Sequence, residues 1–302
     1  MQRPTVIFVI GPTSSGKSMV AAKLAERLGG EIISCDSMQI YRDMDVITQV
    51  PDRKILSEIP HHLIKVIRPE EEFSVAKYVK EATGIIDFII SKKKVPVIAG
   101  GTGLYYKSLI DGIILSPPKD EELRKSLNEI AGEKGNEYLY RELKKCDPRT
   151  AARLHPNDRR RIIRALEVYR LTGHTIHEKK LQSKGLSKKY ACKVFGLRLP
   201  REILYRRINA TVDKMFEDGI VDEVKRLKGR KLSLTAEKAL GIKEVTSFLG
   251  GKTTLKNTKE ELKKNTRRYA KRQMTWFRAD KRIKWIDAEK NTEDIIKGIL
   301  EE

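Results

Sequence analysis

The stretch "GPTSSGKS" (Gly11–Ser18) follows directly on the apolar run "VIFVI" (Val6–Ile10). A short β-branched run ended by glycine reads as a buried strand. The loop fits G-x-x-x-x-G-K-[ST] without a gap, and "KSMVAAKLAERL" (Lys17–Leu28) after it has a helical pattern ended by Gly29-Gly30. Strand, glycine loop and helix in that order make a cradle of backbone N–H groups with the positive end of a helix behind it. Such a cradle holds a diphosphate-like group. Lys17 would add a point charge at the phosphates and Ser18 a ligand for Mg²⁺. Most loops of this kind bind ATP or GTP, but the pattern does not say what the phosphate is attached to.

Further strands and helices alternate behind this start. "EIISCD" (Glu31–Asp36) reads as a second strand, Ser74–Ser91 as a helix with Val75, Val79, Ala82, Ile86 and Ile89 on one face, and "VPVIAG" (Val95–Gly100) as a third strand. "CKVFGLRL" (Cys192–Leu199) is a fourth. A long helix follows it, with Leu204, Ile208, Met215 and Gly219 along one side. Alternation of this kind predicts an α/β fold, with a P-loop NTPase-like parallel sheet covered by helices on both faces. Between "LSPPKD" (Leu115–Asp120) and about Lys189 only helices are legible. Residues 1–115 and 191–302 are therefore expected to form the core, helical toward its C-terminal end, and 116–190 a mostly helical insertion.

Ligands of such sheets bind beyond the carboxyl ends of the strands. The segments predicted there are Gly11–Ser18, Asp36–Gln39 and Gly100–Tyr105. Asp36 reads as a general base, a partner of Mg²⁺-bound water or a turn cap. Ser37 and Gln39 offer donor and acceptor pairs. In "GGTGLYYKSL" (Gly100–Leu109) the paired glycines allow close backbone approach and Thr102 offers a hydroxyl; a plain helix start is the competing reading.

Charge adds a second constraint. Lys and Arg number 62 against 41 Asp and Glu, a net charge of +21. A surplus of that size favours a polyanion, nucleic acid before acidic membrane. A lysine-rich solubilising surface is the alternative. Two stretches concentrate the charge. "HPNDRRRIIRALEVYR" (His155–Arg170) sets Arg160 and Arg164 one turn apart, and "NTRRYAKRQMTWFR" (Asn265–Arg278) interleaves Arg267, Arg268, Lys271 and Arg272 with Tyr269, Trp276 and Phe277. Basic residues with aromatics suit an RNA backbone and splayed bases.

Other classes recede. The three cysteines (Cys35, Cys146, Cys192) form no C-x-x-C pair, so neither zinc nor a disulfide framework is indicated, and a reducing cytoplasm fits. His61, His62, His174 and His177 lack a completing ligand pair and read as structural. The early first strand leaves no room for a signal peptide. No apolar run approaches the ~18 residues of a spanning helix. A small-molecule kinase needs no large basic surface. An RNA-binding NTPase switch would want an apolar strand ending in paired acidic residues, which is not legible. The residues alone lead to a phosphate-loop enzyme with an RNA partner.

The chain also resembles the tRNA dimethylallyltransferase (tRNA isopentenyltransferase) family nearly end to end. The resemblance rests on "GPTSSGKS", "DSMQIYRDMDVITQVP", "PHHLI", "FSVAKY", "PVIAGGTGLYYKSLIDG", "DPRTAARLHPNDRRRIIRALEVYRLTG", "LYRRI", "KALGIKE" and "RRYAKRQMTWFR" in this order. Met38, Lys65 and Ile242 depart from the family's usual Arg, Asp and aromatic residue. The C-terminal zinc finger of eukaryotic relatives is missing, which implies a bacterial-type form. The resemblance implies transfer of a dimethylallyl group from dimethylallyl diphosphate to N6 of the adenosine 3′ to the anticodon. A free-nucleotide (adenylate) isopentenyltransferase is the nearest alternative. Implied diphosphate contacts are Gly11, Pro12, Thr13, Ser14, Ser15, Gly16, Lys17, Ser18 and Arg207, with Mg²⁺ on Ser18. Asp36, Thr102 and Lys17 would be catalytic. Implied tRNA contacts are Asp36, Ser37, Met38, Gln39, Thr102, Arg124, Arg160, Arg161, Ile162, Ile163, Arg164, Lys243, Lys271, Arg272, Gln273, Trp276 and Arg278. The insertion would clamp the anticodon stem-loop, and a cytoplasmic monomer with no membrane contact is the expectation.

Overall fold

The computed structural model describes residues 3–113, 120–181 and 185–302. Its six-stranded sheet has the order β3-β2-β4-β1-β5-β6, with β1 Thr5–Ile10, β2 Glu31–Ser34, β3 His61–His62, β4 Pro96–Gly100, β5 Ala191–Arg198 and β6 Lys284–Asp287. All pairings are parallel, with Phe8 opposite Ile98 on one side and Val194 on the other. β1 is buried on both faces, which its unbroken apolar run requires. Val6, Phe8 and Ile10 enter one core with Ile33, Ile98 and Val194. Ile7 and Val9 enter the other with Ile32, Val97 and Phe195, under Ala21 and Leu24 of the helix Lys17–Arg27 and Ile296 of the helix Thr292–Leu300.

Several bounds differ from the sequence expectation. β2 stops at Ser34, one residue early for a strand expected to end just before Asp36, and the Cys35 carbonyl accepts the Thr102 N–H at 3.1 Å. β3 and β6 are edge strands of two and four residues, too short for periodicity to reveal. The helix Val75–Ser91 starts after Ser74, whose side chain accepts the Lys77 N–H at 3.2 Å, and it buries Tyr78, Ala82, Ile86 and Ile89. The helix after β5 spans Arg201–Glu217. Gly219, expected on its face, has φ of 92° and instead starts the next helix, Ile220–Leu227.

The chain divides into two compact units, one of Met1–Ile110 with Leu186–Glu302 and one of Asp111–Gly185. The boundary expected at 115–116 lies outside the described residues. At the other end Leu186 and Tyr190 pack in the core of the sheet unit, so the helical unit ends at Gly185 where 190 was expected. Among its described residues the unit 111–185 holds helices and no strand. Glu121–Lys134, Asn136–Cys146 and Arg159–Thr172 close on Leu127, Leu139, Leu143, Ile162 and Leu166. No helix among the described residues is long and apolar enough to cross a membrane.

Candidate active site

The loop Gly11–Ser18 leaves β1 at its carboxyl end and turns into the helix Lys17–Arg27. Gly16 makes the turn at φ 88°, and Ser14 also takes a positive φ of 60°. A Cβ on Gly11 would lie 3.0 Å from the Leu197 carbonyl oxygen of β5, so the loop starts hard against the sheet. Neighbouring helices then hold it. The Thr13 N–H donates to Gln273 Oε1 at 2.9 Å. Ser14 Oγ pairs with Thr211 Oγ1 at 3.1 Å. Arg207, one turn before Thr211, is exposed, with Nη1 4.0 Å from the position of a Cβ on Gly16. The Ser15 hydroxyl is buried with no hydrogen-bond partner. Lys17 Nζ donates to the Pro12 carbonyl at 3.2 Å. Burial lowers its pKa, and the Asp36 carboxylate opposes that shift.

Asp36 lies just beyond β2. Its Oδ1 accepts the Met38 N–H at 2.9 Å, so the turn-cap role is filled and the second carboxylate oxygen takes no part in it. Thr102, beyond β4, accepts the Ser37 N–H at 3.0 Å and donates to Ser37 Oγ at 3.3 Å. The loops after β2 and β4 are thereby tied, and they touch closely: a Cβ on Gly100 would stand 2.2 Å from the Cys35 oxygen. Gln39 accepts from Ser34 Oγ at 3.0 Å and donates to the Gln49 carbonyl at 3.1 Å.

A cavity of about 460 Å³ is lined by Ser14, Lys17, Ser18, Asp36 and Gln39, with Ser37 and Thr102 outside its lining. Asp52, Lys238 and Arg272 also line it, beside the apolar Met38, Ile47, Val50, Pro51, Met215 and Leu240. A lining of both kinds suits a ligand with an anionic head and a hydrocarbon tail. Two residues hold places at this site that the sequence did not assign them, Tyr269 having been read only as an aromatic suited to RNA. Tyr269 lines the cavity and hydrogen-bonds toward Thr102 and Gln273; burial first, and then the Asp36 carboxylate, push its phenol pKa up. Glu223 is buried and accepts the Val46 and Ile47 N–H groups at 3.0 and 2.8 Å, which holds Ile47 of the lining in place. Tyr269 had one available signal, its place one turn before Gln273 in "RRYAKRQ"; Glu223 had none.

The expected RNA contacts separate by burial. Arg160, Arg161, Lys243, Lys271, Arg272, Trp276 and Arg278 are exposed. Ile162 and Ile163 are not available: they are 0% and 6% exposed in the core of the helical unit. Arg124 and Arg164 are committed inward. Arg124 Nε and Nη2 each reach the fully buried Glu167 carboxylate at 2.8 Å, and Arg164 Nη1 reaches it at 2.5 Å. Burial alone would raise the Glu167 pKa, but these guanidiniums and the Asp120 N–H bring it down to about 2. Gln273 is 4% exposed and turned into the protein. Burial fits Phe277 to the core rather than to RNA. His61 bonds the Ile59 carbonyl and His62 bonds Glu31, as structural histidines do. Of the three departures from the family pattern, Met38 lines the cavity, Lys65 pairs with Asp45 at 2.5 Å and Ile242 is buried.

Known proteins share this architecture. A family profile described as IPP transferase matches residues 39–280, and one described as isopentenyl transferase matches residues 4–61. The tRNA dimethylallyltransferase of Acetivibrio thermocellus is 46% identical over 299 residues, covering 97% of this chain and 96% of that one. The crystal structure of the full-length tRNA isopentenylpyrophosphate transferase from Bacillus halodurans superposes with a TM-score of 0.72 at 38% identity, covering 99% of this chain and 94% of the other. A eukaryotic dimethylallyltransferase, described as acting on tRNA, superposes with a TM-score of 0.76 at 29% identity over 94% of this chain and 74% of its own. The chain belongs to the family of tRNA dimethylallyltransferases, the IPP transferases.

Proposed function

We propose that this enzyme transfers a dimethylallyl group from dimethylallyl diphosphate to N6 of the adenosine 3′-adjacent to the anticodon in tRNA. The observation that carries the reading is one cavity lined by residues of the Gly11–Ser18 loop, by Asp36 and by apolar side chains that include Met38, Ile47 and Leu240. The loop would hold the diphosphate and the apolar side chains the five-carbon chain.

N6 attacks the first carbon of the dimethylallyl group, and the bond from that carbon to the bridging oxygen breaks. The electron pair leaves with the diphosphate, so negative charge grows there. Lys17, the free loop amides and Arg207 are the groups of this chain that would stabilise it. Asp36 would accept the N6 proton. A neutral exocyclic amine is a weak nucleophile, so orientation by Ser37 and Thr102 should contribute much of the rate. The base must leave its stack to reach a cavity of this kind.

Mg²⁺ fits the donors present. Ser18 supplies a hard oxygen in the lining of the cavity, while no group of three His, Cys, Asp or Glu side chains suited to a metal exists among the described residues. Such a site takes Mg²⁺ through one or two protein oxygens plus the substrate's phosphate oxygens. Bound there, the ion would neutralise charge on the departing diphosphate.

Arg160 and Arg161 on the helical unit, and Lys243, Lys271, Arg272, Trp276 and Arg278 on the sheet unit, are the exposed groups proposed to contact the anticodon stem-loop. We place the enzyme in the cytoplasm, with its tRNA substrate, as a monomer. Asp36→Ala should reduce single-turnover transfer by at least about a thousandfold while tRNA affinity stays within a few-fold. A near-normal rate in that variant removes Asp36 as the base.

A further inference from the structure

Gln273 lies in the basic stretch expected to grip RNA, yet its side chain points the other way. It is 4% exposed, whereas Lys271, Arg272 and Trp276 around it face solvent. Both ends of its amide are engaged with backbone. Oε1 accepts the Thr13 N–H at 2.9 Å, and Nε2 donates to the Gly101 carbonyl at 2.9 Å. Thr13 belongs to the loop after β1, Gly101 to the loop after β4. One side chain of the helix Leu255–Arg278 therefore spans the two glycine loops of the site.

The fit is close. A Cβ on Gly101 would stand 2.2 Å from Gln273 Nε2 and 3.2 Å from the Gly11 carbonyl oxygen. Gln273 Nε2 could swing away only by giving up a buried hydrogen bond. The bridge also redirects one amide of the cradle: the Thr13 N–H serves Gln273, so it does not face a bound anion. Without Gln273 that N–H would seek another acceptor, and the loop would lose the restraint that sets its entry from β1.

We propose that Gln273 is a positioning residue for the donor site, holding the Gly11–Ser18 and Gly100–Tyr105 loops in register from the buried side of the helix whose outer side faces RNA. The inference rests on the reading that the Gly11–Ser18 loop binds diphosphate. It separates two roles within one stretch, with Gln273 serving the donor and the exposed Lys271 and Trp276 serving the RNA.

The test is titration of inorganic diphosphate with Mg²⁺, and separately of an anticodon stem-loop RNA, into the full chain and its variants. Gln273→Ala leaves the Thr13 N–H without its acceptor, so diphosphate should bind about tenfold more weakly. RNA affinity should stay within about twofold, because both ends of the Gln273 amide are already taken by the Thr13 and Gly101 backbone. Gly101→Ala should weaken diphosphate alone in a similar way, but it should cost less in the Gln273→Ala background, where the 2.2 Å clash with Gln273 is gone and only the 3.2 Å approach to the Gly11 carbonyl remains. Gln273→Glu keeps an acceptor for Thr13 but turns an oxygen onto the Gly101 carbonyl. Its diphosphate affinity should recover as the pH falls and the carboxyl regains a proton to donate, a signature that general loosening of the fold would not give. Unchanged diphosphate affinity in Gln273→Ala, additive losses in the double variant, or a fall in RNA affinity alone would each overturn the inference while leaving the functional reading in place. A wild-type chain that does not bind diphosphate would overturn both.

Discussion

Lys17 and Asp36 line one cavity with opposite charge, and that pairing sets what each can do. Burial depresses the lysine's pKa, while the carboxylate keeps its charge favourable. Lys17→Ala should weaken binding of dimethylallyl diphosphate by about ten- to a hundredfold, measured by titration in the absence of RNA, with RNA affinity unchanged. An equal loss of RNA affinity would mean that the lysine serves the RNA instead. Both residues were legible in the sequence because they follow strands at fixed offsets, where a parallel sheet gathers its ligands. Tyr269 reaches the same cavity from a helix more than two hundred residues further on. Its role comes from packing of that helix against the loop after β4, where Gln273 meets Gly101 and Trp276 meets Gly103, and local periodicity carries no record of such packing.

Among elements, the helix Arg159–Thr172 shows how charge alone misleads. Arg160 and Arg164, one turn apart in a run of four arginines, read as one basic stripe facing out. Folding divides them: Arg164 turns toward Glu167 beside Arg124 from the helix Glu121–Lys134, while Arg160 and Arg161 stay outside. Glu167 sits on the apolar side of its own helix, where no pattern rule expects an acid, so the pairing was not legible. Its consequence is a pH dependence. The carboxyl titrates near 4.5 when free and at about 2 in the fold. A depressed carboxyl contributes stability that is fully present above the unfolded value and is lost as pH falls toward the folded one. Thermal unfolding of the helices in 111–185 should therefore shift to lower temperature as pH drops from 5 to 2. Glu167→Gln should unfold earlier at neutral pH, since it leaves two guanidiniums underpaired, and should show a flatter response across that range. A wild-type unfolding temperature constant from pH 5 to 2 would contradict this account. The strands show the same contrast between local and distant causes. β1, β4 and β5 were readable from buried apolar runs, whereas β3 and β6 exist only because a neighbouring strand offers them an edge.

For the whole molecule, a net charge of +21 has to be spent on something. If the exposed arginines and lysines meet RNA phosphates, the logarithm of tRNA affinity should fall linearly with the logarithm of salt concentration. Arg160→Ala or Lys271→Ala should each then reduce the slope by about 1. A flat salt response would assign the charge to solubility. The α/β core and its helical companion were legible from alternation of patterns, while the dividing residues were not, since Leu186 and Tyr190 join the sheet unit through contacts made at a distance. One cavity is proposed to bring a prenyl diphosphate to an adenosine of tRNA. The most direct test is incubation of the protein with Mg²⁺ and labelled dimethylallyl diphosphate, offered unmodified tRNA in one reaction and AMP in another. Label is predicted in tRNA, on the adenosine 3′ to the anticodon, with none on AMP and one diphosphate released per adenosine modified. Label on AMP with unmodified tRNA left untouched would contradict the account.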